Sequence, residues 1–263
     1  RDRSPSRGLG DVYKRQALYY PLWLIYAAAY VQKNGHEVYF LDAPAKPLNE
    51  DETLALLTDK ADDHTLFVLD TSTPSIKSDV NFAEHIKQIY PHAYLVLVGT
   101  HPSACAEETL GYSKAVDAVA IGEYDETIKE LANAIENRRE LMQVRGLCLR
   151  REETFIRTGI MPSIKNLDDI PFASAFIKDN LNERDYFFAA ATYPSIQIFT
   201  GRGCPFHCNF CVYPQTMHGH IFRARSAENV VDEFEYIAEN FPDVKEVVIE
   251  DDTFTVSYTH LRA

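Results

Sequence analysis

Positive charge is what this chain is short of: 26 lysines and arginines stand against 39 aspartates and glutamates, a formal net charge of −13 over 263 residues. Without a basic stripe nothing neutralises a phosphate backbone, so nucleic acid is not the expected substrate. Long hydrophobic runs are missing too. The longest, residues 17–31, is rich in tyrosine and falls short of the roughly 20 apolar residues that a spanning helix needs. No charged segment followed by an apolar core and a cleavage site marks a leader, and a cytoplasmic protein without a membrane span is expected. The cysteines number five, an odd count that argues against a disulfide framework in a chain with no mark of secretion.

What the chain does have is three of those cysteines within eight residues. Cys204, Cys208 and Cys211 lie in the run Thr-Gly-Arg-Gly-Cys-Pro-Phe-His-Cys-Asn-Phe-Cys, a C-x3-C-x2-C triad with Phe210 just before the last thiol. Three thiolates can hold three irons of a cubane 4Fe-4S cluster and leave the fourth open to chelate a small molecule. Structural zinc would need a fourth ligand, and His207 would have to fold back within one tight loop to supply it. Ordinary burial explains neither the spacing nor the glycines ahead of it. Cys105 and Cys148 lack such spacing and read as a small helix residue and a core or interface residue.

Both ends look foreign to the fold. Residues 1–16 are basic and aperiodic, residues 257–263 follow abruptly on a strand-like run, and both resemble translated adaptor sequence, so the chain is expected to be a fragment. Between them, strands and helices alternate. A helix over 21–33 is closed by Asn34-Gly35, and strands are expected over 37–42, 66–70, 94–98 and 115–121, with a helix over 79–90. Apolar strands separated by helices imply a parallel sheet covered on both faces, here a flavodoxin-like doubly wound α/β domain.

Ligands of such sheets bind beyond the carboxyl ends of the strands. Three loops converge there: residues 71–75 with Thr71, Ser72 and Thr73, the run Gly99-Thr100-His101, and Gly122-Glu123. The glycines would let a bulky ligand approach and the hydroxyls would hold its polar edge, although strand-to-helix turns alone also call for glycine. Residues 145–159 read as a β-hairpin with Glu152-Glu153 near its turn, and residues 166–193 as a connector.

The remaining segment opens with a strand over 195–199 that delivers the triad. Delivery from a strand's carboxyl end is where a parallel α/β barrel puts its active site. A helix over 226–240, with Ser226 as N-cap and Glu228 in the first turn, leads to a strand over 244–249 that ends in Glu250-Asp251-Asp252. Carboxylates at that strand end could accept from a substrate ammonium, bind a divalent cation or form a solvated turn. Arg202 either complements a negative cluster or faces solvent.

The triad resembles that of radical S-adenosylmethionine enzymes. The preceding runs PLWLIYAAAYVQKNGHEVYFLDA (21–43), DTSTPS (70–75), VLVGTHPS (96–103) and DAVAIGEYDETIKEL (117–131) make the chain similar to the cobalamin-binding branch of that family, with class B methylases, anaerobic magnesium-protoporphyrin ester cyclases and hopanoid-pathway enzymes. The resemblance covers nearly all of residues 17–256. It implies a cobalamin-binding domain over 17–140, the hairpin and connector over 141–193, and the N-terminal part of a (β/α)6 partial barrel over 194–256, with later strands absent. It also implies a 4Fe-4S cluster on the three cysteines, S-adenosylmethionine beside Phe210 with its ammonium at Glu250, Asp251 or Asp252, and cobalamin at the three loops. Cleavage of the sulfonium by one electron would give methionine and a 5′-deoxyadenosyl radical.

That family reading implies methyl transfer or a related modification of an unactivated carbon, on a small-molecule, lipid, tetrapyrrole or peptide substrate, with flavodoxin or ferredoxin as reductant. The D-x-H-x-x-G element of His-ligated cobalamin proteins is lacking, so no lower axial histidine is assigned. His101 is read as a hydrogen-bonding loop residue before a cobalt ligand. Two alternatives stay open. A transfer-RNA methylthiotransferase would carry a second cysteine triad, which is absent, and the acidic balance disfavours RNA; a cobalamin-binding or electron-transfer module would cycle electrons without cleaving S-adenosylmethionine.

Overall fold

The computed structural model of the chain describes residues 17–255. Both segments read as foreign ends, 1–16 and 257–263, lie outside the described residues.

Helix α1 (Leu22–Lys33) follows Pro21 and mixes the good helix formers Leu, Ala, Gln and Lys with aromatic and β-branched residues of middling propensity. It ends at Asn34, and Gly35 takes the left-handed φ of +96° that turns the chain away. The expected strand over 37–42 does not form: no ladder partner exists for it among the described residues. Its sequence alternation is real, since Glu37 and Tyr39 are exposed while Val38 and Phe40 pack against the core. Alternation records a buried face, but a strand also needs a neighbour whose peptide groups match. Helix α2 (Glu50–Leu57) then starts from a capping box in which Asn49 and Glu52 satisfy each other's backbone N–H.

Five strands make the main sheet: β1 (Leu66–Asp70), β2 (Tyr94–Val98), β3 (Ala118–Ala120), β4 (Leu147–Arg151) and β5 (Thr154–Arg157), in that spatial order. The first three run parallel, joined by α3 (Ile76–Ile89), and by α4 (Thr100–Ala104) with α5 (Ala106–Tyr112). Helix α6 (Asp125–Glu136) leaves β3. The α/β doubly wound fold is therefore present, with one addition. The hairpin β4–β5 docks antiparallel on β3 and makes the sheet mixed. Along β2, Leu95 and Leu97 face one core with α3 and α5, whereas Val96 and Val98 face a second with α1 and α6. Burial on both faces is why this strand reads as an unbroken apolar run.

Helix α7 (Ala173–Asn180) lies in the connector. Beyond it, β6 (Ser195–Ile198) passes through β7 (Gly201–Arg202), the cysteine loop, β8 (Arg223–Ala224) and α8 (Ala227–Asn240) to β9 (Glu246–Ile249). Strands β6 and β9 pair in parallel, and β7 pairs antiparallel with β8. A third core joins Ile196, Ile198, Phe199 and Ile237 to Phe176, Ile177 and the Leu22, Ile25 and Tyr26 side of α1. Helix α1 thus belongs to two cores at once. Among the described residues no helix is long and apolar enough to cross a membrane.

Candidate functional site

Pairing of β7 with β8 brings the two ends of residues 203–222 to one point. At Gly203, φ is +96° and a Cβ would lie 1.9 Å from the Ile221 carbonyl oxygen, so only glycine permits the crossing. Past it the chain has no regular structure until a π-helical turn, Pro214–His218. Cys204 and Cys211 are half-buried, Cys208 is exposed, and all three thiols are free. The Cys211 N–H donates to the Cys208 carbonyl at 3.2 Å. Phe210 is 88% exposed, leaving its ring open to a partner. His207 stacks on His220 at 3.8 Å between ring centroids. Among the described residues no three His, Cys, Asp or Glu side chains converge on a point fit for one metal ion.

The acids after β9 mostly face the same loop. Asp251 Oδ1 accepts from the N–H groups of Thr200 (2.7 Å) and Gly201 (3.0 Å), and Oδ2 accepts from the Thr200 hydroxyl. Burial pushes the Asp251 carboxyl up, and the donors only partly offset it. Asp252 Oδ2 accepts from Gly203 N–H at 3.2 Å and lies 2.6 Å from His218 Nε2. Glu250 Oε1 accepts from Gln197 Nε2 at 2.8 Å, and its second oxygen has no hydrogen-bond partner among the described residues.

Arg202 and Glu123, expected at different cofactors, are bound to each other. The Arg202 Nη1 lies 2.9 Å from both Glu123 Oε1 and Asp125 Oδ2, and its Nη2 donates to Asp125 Oδ1 at 3.1 Å. The guanidinium sits 4.7 Å over the Trp23 ring and 5.1 Å over that of Tyr26. Arg223 Nη1 also donates to Glu123 Oε1 at 3.2 Å. Burial alone would raise the Glu123 carboxyl; the two guanidiniums outweigh it and hold it below the usual range. Arg202 does not face solvent: its side chain is 2% exposed and its guanidinium is taken up by Glu123 and Asp125. Asp125 and Arg223 were missed by the sequence reading, because their partners lie 77 and 100 residues away.

At the carboxyl ends of β1 and β2 a cleft of about 260 Å³ is lined by Thr71, Ser72, Gly99 and Thr100, as expected. Tyr213 and Met217, which follow the last cysteine, line it from the other half, and Trp23, Asp70 and Tyr124 complete its wall. Thr73, His101, Gly122 and Glu123 do not line it. The His101 Nδ1 is 3.1 Å from Thr73 Oγ1, and its Nε2 is buried without a partner among the described residues. The turn itself requires glycine at 99: φ is +106°, and a Cβ would lie 2.5 Å from Asp70 Oδ1 and 2.6 Å from the Thr71 carbonyl oxygen. Gly122 also has positive φ, +84°, and its N–H donates to Ser103 Oγ at 3.0 Å. The Tyr124 hydroxyl is fully buried, kept protonated by that burial, and has no partner among the described residues. Such an orphan donor on a cleft wall calls for a ligand acceptor or water.

Residues 9–132 match the B12-binding domain family, a match that begins within residues 1–16. An uncharacterized methyltransferase of Pyrococcus horikoshii is 30% identical over 237 residues, 90% of this chain and 50% of that protein. The chain therefore carries a B12-binding domain and is similar, over most of its length, to members of the cobalamin-binding radical S-adenosylmethionine family. The anaerobic magnesium-protoporphyrin IX monomethyl ester cyclase of Synechocystis is 26% identical over 191 residues, 73% of this chain and 37% of the cyclase. The chain spans about a third to a half of the length of the curated relatives it matches. Its fold is shared with the radical S-adenosylmethionine methyltransferase TsrM of Kitasatospora setae, solved with tryptophan substrate and a SAM analog (TM-score 0.69, 17% identity, 92% of this chain and 47% of TsrM). It is shared equally with the enzyme OxsB, solved with aqua-cobalamin and S-adenosylmethionine (TM-score 0.73, 15% identity, 93% and 32%).

Proposed function

We propose that this chain carries the cofactor-binding part of a radical S-adenosylmethionine enzyme that transfers a methyl group, or performs a related radical modification, with the help of cobalamin. The observation that carries the reading is an adjacency: Tyr213 and Met217, two and six residues beyond the last cysteine of the triad, form part of the wall of the cleft at the carboxyl ends of β1 and β2. A cluster on the cysteine loop and a ligand in that cleft would be neighbours.

The residues present fit the groups. Three free thiols on one loop, spaced C-x3-C-x2-C, suit a cubane with one open iron. The orphan Tyr124 hydroxyl, with Thr71, Ser72 and Thr100 on the same cleft, suits the polar edge of cobalamin. Together these groups would supply one-electron cleavage of a sulfonium and a transferable methyl group. The chain's own part is to bind and orient: Cys204, Cys208 and Cys211 hold the cluster, and Glu250 offers its open oxygen to the methionine ammonium. Phe210 offers its exposed ring to the adenine. A flavodoxin- or ferredoxin-type reductant would approach the exposed Cys208 side. The substrate, a small molecule, lipid, tetrapyrrole or peptide, would be chosen by parts of the relatives' length that this chain does not span.

Anaerobic iron and sulfide reconstitution, followed by electron paramagnetic resonance of the reduced chain with and without S-adenosylmethionine, tests the proposal. A 4Fe-4S signal that changes on adding S-adenosylmethionine and is lost in Cys208→Ala is the expected result. Bound zinc with no cluster would refute it, and a cluster indifferent to S-adenosylmethionine would favour an electron-transfer module.

A further inference from the structure

The loop that carries the triad has no regular structure between Gly203 and Pro214; the His207–His220 stack and the 2.9 Å contact of His220 Nδ1 with the Phe206 carbonyl cross it, and its shape depends further on what grips its ends. One carboxylate oxygen reaches both. Asp252 Oδ2 accepts from Gly203 N–H at 3.2 Å, immediately before Cys204, and stands 2.6 Å from Nε2 of His218, seven residues after Cys211. The His218 side chain is fully buried, stacked at 5.8 Å on Trp23. Its ring is therefore held in place and presents a fixed post to the carboxylate. Asp251, alongside, grips Thr200 and Gly201 on the approach to the loop. The Gly203 N–H is hydrogen-bonded to Asp252, the approach of His218 Nε2 is a close polar contact without hydrogen-bond alignment, and closing a loop at its base restricts everything it encloses.

We propose that Asp252 and His218 form a clamp that closes the base of the cysteine loop, and that both are positioning residues rather than ligands of S-adenosylmethionine. The inference rests on the cluster reading only for what the loop carries; the clamp itself is a property of the chain without iron. Glu250 then remains as the strand-end carboxylate available to the methionine ammonium.

Thiol alkylation read by mass spectrometry tests the clamp on the iron-free chain. Asp252→Asn and His218→Gln are each expected to speed alkylation of Cys204 and Cys211 by about tenfold, the opening equilibrium that goes with losing one polar contact. Cys105, on the main sheet's side of the molecule, should react at the wild-type rate, with the circular dichroism spectrum and thermal midpoint showing that the fold persists. The double variant should open no further than the worse single one, because both remove the same contact. Unchanged Cys204 and Cys211 rates in a folded variant, or fully additive effects, would overturn the clamp. If either variant fails to fold, the conservative Asp252→Glu replaces it and should restore protection to within a few-fold.

After reconstitution, the variants should release iron to a chelator faster in the same order, while their response to S-adenosylmethionine persists. Loss of that response in Asp252→Asn with wild-type alkylation rates would make Asp252 a ligand and end the proposal. Failure of the wild-type chain to load iron would instead count against the cluster reading, and the alkylation result would still decide the clamp.

Discussion

At Gly203 the chain turns on one missing carbon. A side chain there meets both an unfavourable φ of +96° and the Ile221 carbonyl oxygen at 1.9 Å, whereas Gly159 has the same kind of φ, +95°, with nothing within 4 Å. The pair separates strain from collision. Gly159→Ala should lower stability by about 1 kcal/mol, the backbone strain alone, and Gly203→Ala by about 3 kcal/mol or more, since the β7–β8 crossing must also move. Guanidinium unfolding checks both, and equal losses would mean that the crossing yields. Elsewhere charge, not shape, is decisive. Two hydrogen bonds from Arg157, each 2.7 Å, hold the Glu107 carboxyl at about 2. A lowered carboxyl stabilises the fold above its ordinary range and loses that contribution as pH falls toward about 2. Both side chains are about half exposed, so the contribution is small. Carboxyl NMR titration of Arg157→Gln should show Glu107 returning to near 4.3; an unmoved midpoint would assign the shift to other groups.

Elements were legible where their signals are local. Helix α8 is an example: Ser226 ahead of the apolar periodicity announces its start, and in the structure Ser226 Oγ accepts from Asn229 N–H at 3.1 Å. Ser226→Ala should lower stability by about 1 kcal/mol, measured as a shift in the denaturation midpoint, while Asp168 keeps the Ser226 backbone N–H bonded at 2.9 Å. No shift would mean that the cap is replaced by water. Strands β1 and β2 and the β4–β5 hairpin were read the same way, from runs of apolar residues and turn residues. What failed was anything that depends on a distant neighbour. Residues 37–42 carry a strand's alternation but have no ladder partner among the described residues, and no sequence signal tells that the hairpin docks antiparallel on β3. The capping box at Asn49 and Glu52 was within reach of the sequence and went unread. The site divides likewise. The triad is visible because its spacing is local, while the His218–Asp252 contact and the pairing of Arg202 with Glu123 and Asp125 span 34, 79 and 77 residues.

Across the whole molecule, that buried ion cluster is what fastens the sheet to the cysteine-bearing half. Arg202 comes from β7, Glu123 and Asp125 from the end of β3 and the start of α6, and the side chains are 2%, 4% and 0% exposed. Helix α1 also spans both halves through its two cores, but apolar packing alone tolerates small slips that a bidentate pair does not. Arg202→Met would leave Asp125 buried and unpaired, and breaking a buried pair from one side typically costs about 3–5 kcal/mol. Replacing both partners, in Arg202→Met with Asp125→Leu, removes the orphan charge and should recover much of that loss, with Glu123 still held by Arg223. The molecule supplies its own reporter, because its single tryptophan, Trp23, lies 4.7 Å beneath the Arg202 guanidinium. In Arg202→Met the Trp23 fluorescence transition in denaturant should move to lower concentration than in the wild type, and ahead of the loss of helical circular dichroism as the halves part first. In the double variant the two transitions should draw together again. An Arg202→Met chain as stable as the wild type would show that packing around α1, and not the ion cluster, joins the halves.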